Sequence, residues 1–193
     1  MSVVWDPKDY GFFRAARYGA WRCLEDLDTR HFAQKAPIIA VACSDYRRHH
    51  DKIGRIAHLR GFASGEDSQT HPLGWHGGAI RLVQDSPTNY LTDGDAIFMA
   101  EVLEAVEITS ITDIVTYGHW PCSKAMKHGM KLEDVLRAVI EAKRRLKHCR
   151  ESLRVRTLFH ADFGDLEPGG MRSYFINPDR FESIVSATGA VSV

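Results

Sequence analysis

The stretch "APIIAVACSDYRRHH" (residues 36–50) begins as a short apolar run, broken only by Pro37, and changes character at Cys43. A brief, continuously apolar segment of this kind predicts a β-strand covered on both faces, as strands of a parallel sheet are. Buried strands usually stop in turn residues such as Gly, Asn or Pro. This one stops in a thiol, a carboxylate and a guanidinium at alternate positions: Cys43, Asp45 and Arg47.

A second strand with a similar ending lies further along. "ITDIVTYG" (111–118) is apolar and β-branched, and it runs directly into His119, with Cys122 three residues on. Between the two strands, "AIFMAEVLEAVEI" (96–108) reads as a helix apolar nearly all round and therefore buried, capped by Asp93 or Asp95. Leu132, Val135, Leu136, Val139, Ile140 and Leu146 mark an amphipathic helix through about residue 148. "VRTLFHADF" (155–163) and "MRSYFIN" (171–177), joined across "EPGG", read as a terminal strand pair. At the other end, residues 9–27 place Phe13, Ala16, Ala20, Leu24 and Leu27 at helical spacing, with Phe12 and Trp21 beside them. Residues 53–94 are the least regular part, and only "GAIRLVQ" (78–84) reads there as a strand. Strands alternating with helices predict an α/β fold, a mainly parallel β-sheet flanked by helices. Ligands of such folds gather outside the carboxyl ends of the strands, where both chemically loaded stretches sit.

The bulk properties narrow the function. The chain has 193 residues, suited to one domain over 1–193, and is 44% hydrophobic and 26% charged. Lys+Arg and Asp+Glu both count 25, which argues against a nucleic-acid partner bound through bulk basicity. No run approaches the roughly 18 apolar residues of a membrane span, and the first residues lack the pattern of a secretory signal. Cys23, Cys43, Cys122 and Cys149 are too few and too scattered for a disulfide-stapled domain. A cytoplasmic setting is expected, in which grouped Cys and His signal metal or catalysis.

Cys43, Asp45, His119 and Cys122 together supply two thiolates, one imidazole and one carboxylate, a tetrahedral set suited to zinc. Residues two apart in an extended segment point to one side, and the two-residue gap between His119 and Cys122 lets both reach one ion. Thiolates disfavour magnesium and calcium. Taken singly, each residue has a blander explanation, since Cys is among the most buried residue types and a lone His is commonly a satisfied core group. Four such groups at two strand ends argue the other way.

The paired motifs "CSDYR" (43–47) and "GHWPC" (118–122) resemble the signature of the β-class carbonic anhydrases, C-x-D-x-R followed by H-x-x-C. The order of elements is similar over about residues 9 to 180. The resemblance implies Cys43, His119 and Cys122 as zinc ligands. It implies Asp45 and Arg47 as a catalytic pair, with Asp45 alternating between a fourth zinc position and Arg47. A zinc-held hydroxide would then convert carbon dioxide reversibly to bicarbonate, the carbonate dehydratase (lyase) reaction. The family also implies a homodimer or higher homo-oligomer, with the N-terminal helical arm (1–30) as an exchange or docking element.

Two departures from the family pattern stand out. Its middle Arg-Asn-Ala-Gly corresponds here to "IRLVQDSP" from residue 80, which keeps Arg81 and puts bulkier residues at 82–84 against the pocket; Tyr46 replaces a small residue. The segment between the motifs is also longer, with the extra residues in about 54–79, so that 54–94 reads as a divergent insertion or pocket segment. Zinc hydrolysis of carbonyl sulfide or carbon disulfide, and a non-catalytic zinc-stabilised binding protein, are the alternatives. His49, His50, His71, His76 and His128 read as solvated loop residues in the first instance, Cys23 and Cys149 as packed helical residues, and "GWHGG" (74–78) as a flexible wall or lid.

Overall fold

The computed structural model describes residues 5–20, 22–33, 35–63, 66–89, 93–164, 166 and 170–189, without the side chains of 46–52 and 184–189. Its elements are helix α1 (Pro7–Tyr18), strand β1 (Leu24–Asp26), β2 (Ile38–Cys43), α2 (Tyr46–Leu59), β3 (Thr70–Trp75), α3 (Gly94–Thr109), β4 (Asp113–Trp120), α4 (Ser123–Lys127), α5 (Leu132–Cys149), β5 (Arg154–Asp162), β6 (Met171–Ile176) and α6 (Pro178–Gly189). One six-stranded sheet runs in the order β1-β6-β5-β4-β2-β3. β3, β2, β4 and β5 are parallel; β6 and β1 complete the sheet antiparallel. The protein is therefore α/β with a mainly parallel sheet.

All six residues of β2 and all eight of β4 are buried, as continuous apolar strands between two layers must be. On one face lies a large core with Phe13, Val102, Val135, Val139 and Phe159; on the other, a smaller one with Ile38, Ile56, Val115, Tyr117 and Leu158. Helix α5 sits directly on β4: a Cβ on Gly118 would lie 2.6 Å from Val139 Cγ2. The chain leaves β2 toward β3 on one side and returns to β4 on the other. The carboxyl ends of β2 and β4 thus flank a switch point, where a crevice opens in such sheets.

Several expectations are corrected. The N-terminal helix stops at Tyr18, not near residue 27: Gly19 caps it in an extended conformation, and Leu24 moves into β1 opposite Ile176. Its aromatic edge is used within the chain, with Trp5 stacked on Phe163 at 5.3 Å and Phe13 packed against Phe163 and Tyr174. Burying a ring such as Phe13 contributes about 1.5–3 kcal/mol. Residues 78–82 form a 3-10 turn rather than a strand, and the strand of this region is β3. Helix α3 is not buried all round, since Ile97 and Ile108 are 53% and 75% exposed. Asp93 does stand at its N-cap, accepting from Ile97 N–H through its backbone carbonyl but making no side-chain capping bond, while Asp95 accepts a 3.0 Å hydrogen bond from Arg145. Among the described residues no helix is long and apolar enough to cross a membrane.

Candidate metal centre

Cys43 is the last residue of β2, and His119 lies one residue before the end of β4. Cys122 immediately precedes α4, which turns the chain back over the strand ends. The sheet brings these three together: one donor atom from each lies within 4.8 Å of the other two. All are buried, at 4%, 2% and 2% exposure. A cavity of about 380 Å³ opens beside them, lined also by Ser44, Asp45 and His76, and by Ser123 and Lys124.

The thiols restrain one another. The Cys43 thiol is held well below its usual range, chiefly by a hydrogen bond from Cys122, helped by His119 and the Gly77 N–H, against the cost of burial. Cys122 is pushed up by that same hydrogen bond, by burial and by the Cys43 charge; the backbone N–H groups of Ala125 and Lys124 offset part of this. Two buried thiols sharing a proton are a donor set short of a cation. A soft divalent ion beside them lets both ionise, and two sulfurs with one imidazole nitrogen suit zinc.

Asp45 lines the same cavity but stands outside the close group of three donors. Arg47 lies in the first turn of α2, and its side chain, like those of Tyr46, His49 and His50, is outside the described residues. His71 sits on edge strand β3, and His128 lines a separate cavity of about 480 Å³ with Val83 and Asp85. Arg81 is buried, its guanidinium 4.2 Å from the Trp75 ring centroid. Residues 82–84, expected as pocket wall, do not line the metal cavity. "GWHGG" is a packed wall: Gly77 donates its N–H to Cys43 Sγ at 3.3 Å, and the His76 ring lies 3.2 Å from Ser44 Oγ. Cys23 is not helical but sits before β1, where burial pushes its thiol up to about 12. Cys149 is the exposed last residue of α5.

Ser44, Ser123 and Lys124 were not singled out as site residues from sequence, because neither residue type nor spacing marks them. The signal available was adjacency to Cys43 and Cys122.

No family model and no curated protein matches the chain. Among solved structures it is similar to a β-carbonic anhydrase of the fungus Aspergillus fumigatus at 13% identity, covering 79% of this chain and 98% of that one, with a TM-score of 0.47. It is also similar to a carbonic anhydrase of Streptococcus mutans (16% identity, 91% and 100% covered, TM-score 0.44). A third is a β-carbonic anhydrase of the protozoan Trichomonas vaginalis (15% identity, 88% and 95% covered, TM-score 0.42).

Proposed function

We propose that the chain is a zinc-dependent carbonate dehydratase built as a single domain, interconverting carbon dioxide and bicarbonate. The observation that carries this reading is the buried Cys43–His119–Cys122 group with a small cavity on its open side. Structural zinc sites are closed by four protein ligands, whereas catalytic ones keep three and leave a position open. Zinc held there supplies a Lewis acid that brings the pKa of water near neutrality.

The chain's own groups do the rest. Gly77 N–H fixes the orientation of the Cys43 sulfur, and burial of all three donors excludes competing solvent. In this reading Asp45, on the cavity wall, alternates between the donors and a partner, and that partner is Arg47, since a guanidinium's planar fork matches a carboxylate. At about 380 Å³ the cavity is near the low end for ligand sites, which suits a substrate of three or four heavy atoms. Carbonyl sulfide and carbon disulfide are of the same size and remain in the assay. A pure binding role is disfavoured because the 54–94 segment serves the metal site itself, His76 lining its cavity and Gly77 holding the Cys43 sulfur. Association into a homodimer belongs to the same reading and is supported by the exposed Ile97 and Ile108 on α3.

The test is stopped-flow hydration of carbon dioxide and carbonyl sulfide by the zinc-loaded chain from about pH 6.5 to 9, the range around the pKa of zinc-activated water. Hydration of carbon dioxide that rises with pH is expected, with one zinc per chain in the wild type and strongly reduced zinc in Cys43→Ser and Cys122→Ser. A flat background rate on carbon dioxide rejects the dehydratase reading; full zinc in both variants rejects the ligand assignment.

A further inference from the structure

We propose that Lys124, with the hydroxyls of Ser44 and Ser123, forms an anion-binding wall in the metal cavity, and that the ligand it holds is a small monoanion of the bicarbonate class. This deepens the dehydratase reading and rests on it for the ligand's identity. The need for such a wall follows from charge balance. Two thiolates cancel the charge of a divalent ion, and an imidazole adds nothing, so beyond its coordination position the centre carries no net charge to draw an anion into the cavity. Carbon dioxide is neutral and needs none. Bicarbonate does, and the charge has to come from elsewhere on the cavity.

Lys124 is the cation placed to supply it. It lines the cavity with Cys43, His119 and Cys122. Its stem is seated: Lys124 Cγ lies 3.4 Å from the point a Cβ on Gly77 would occupy, over the turn whose N–H holds the Cys43 sulfur. Arg81 Cγ approaches the same point at 3.2 Å, and its buried guanidinium lies over Trp75 and beside Gly94. Among the described residues Asp45 is the one carboxylate on the cavity, and the Ser44 and Ser123 hydroxyls offer donors of the kind an oxyanion accepts. A side chain whose stem is already packed loses less freedom on binding, so more of its charge goes into affinity.

The experiment is calorimetric titration of the zinc-loaded full chain with bicarbonate and, separately, nitrate at fixed ionic strength. Wild type, Lys124→Ala, Lys124→Gln and Lys124→Arg are compared, each with zinc content and circular dichroism measured first. Removing one charge at contact range should weaken both anions about tenfold in the Ala and Gln variants, and Arg should restore most of the affinity. Zinc content should stay at the wild-type level. Equal anion affinity in wild type and in a zinc-replete, folded Gln variant overturns the proposal. The two readings fail separately. Anion binding that depends on Lys124 in a chain that does not hydrate carbon dioxide rejects the reaction and keeps the wall. Hydration with anion affinity indifferent to Lys124 rejects the wall and keeps the reaction.

Discussion

Gly77 donates its backbone N–H to the Cys43 sulfur across 3.3 Å, and the next residue, Gly78, lies against the Cys43 main chain. A Cβ on Gly78 would stand 2.3 Å from Cys43 N and 2.5 Å from Ala42 C, and its φ of +56° lies in the left-handed region. Neither neighbour is a flexible side-chain end, so backbone has to move. Gly78→Ala should therefore cost about 1–3 kcal/mol and weaken zinc binding, because the shift displaces both the sulfur and its N–H donor. Urea unfolding of the zinc-free chain and competitive zinc titration measure the two effects. Wild-type values in both would show that the turn is not seated on the strand as described.

Asp113 gives the contrasting case. It opens β4, six residues before His119, so about 20 Å separates it from the metal centre at roughly 3.3 Å per residue. Its buried carboxylate accepts from Arg154 and Arg156 on β5. Arg154 is 63% exposed and keeps its hydration when the partner goes; Arg156, more enclosed, does not. Asp113→Ala should cost about 1–3 kcal/mol in urea unfolding, below the penalty of a fully buried broken pair. Zinc content and hydration rate should be unchanged. Loss of zinc in a folded Asp113→Ala protein would show that strand ends are coupled along their whole length.

What was legible in the sequence follows from burial. β2 and β4 were readable because every residue is covered, leaving a largely apolar signature that runs into the metal-ligating types. The same logic misled at 78–82. Gly78, Ala79, Ile80, Arg81 and Leu82 are all buried, but in a tight 3-10 turn between α3 and α5, and continuous burial alone does not separate the two geometries. β3 escaped notice for the opposite reason. As an edge strand it is only partly covered, and its Pro72 and Gly74 carry no strand signal. Leu24 and Leu27 keep helical spacing with Phe13 and Ala16 yet serve β1 and the turn after it, a tertiary use that periodicity does not encode. Within the site, Cys43, His119 and Cys122 were readable by type and spacing. Ser44, Ser123 and Lys124 were not, since common polar residues acquire meaning only from the cavity they face.

Arg47 tests the switch. Asp45 lies on the cavity wall, outside the three-donor group. If the Arg47 fork holds it there, Arg47→Ala should leave zinc content intact and reduce hydration at least tenfold, because the freed carboxylate competes for the open position. Arg47→Lys should recover little, since a single ammonium cannot reproduce a two-pronged hold. Removing both groups, in Asp45→Ala with Arg47→Ala, should restore part of the rate lost in Arg47→Ala alone. Hydration in Arg47→Ala equal to wild type would end the latch assignment.

The proton count on zinc binding follows from the thiol pair. In the metal-free chain the Cys43 thiol is lowered, first by the Cys122 hydrogen bond, which favours its ionised form. Cys122 is raised by the same contact, by burial and by the Cys43 charge, which favours its protonated form. Zinc needs both as thiolates. The pair should therefore release about one proton, not two, per zinc bound near pH 7.5, and zinc affinity should rise about tenfold per pH unit as that proton becomes easier to remove. The sign is fixed by Cys122: acid favours its protonated, metal-free form and base favours the complex. Calorimetry of zinc binding in buffers of different ionisation enthalpy gives the number released. A zinc affinity of the wild-type chain that does not change with pH would show that the two sulfurs do not share a proton and that the pair is not the electrostatic unit described.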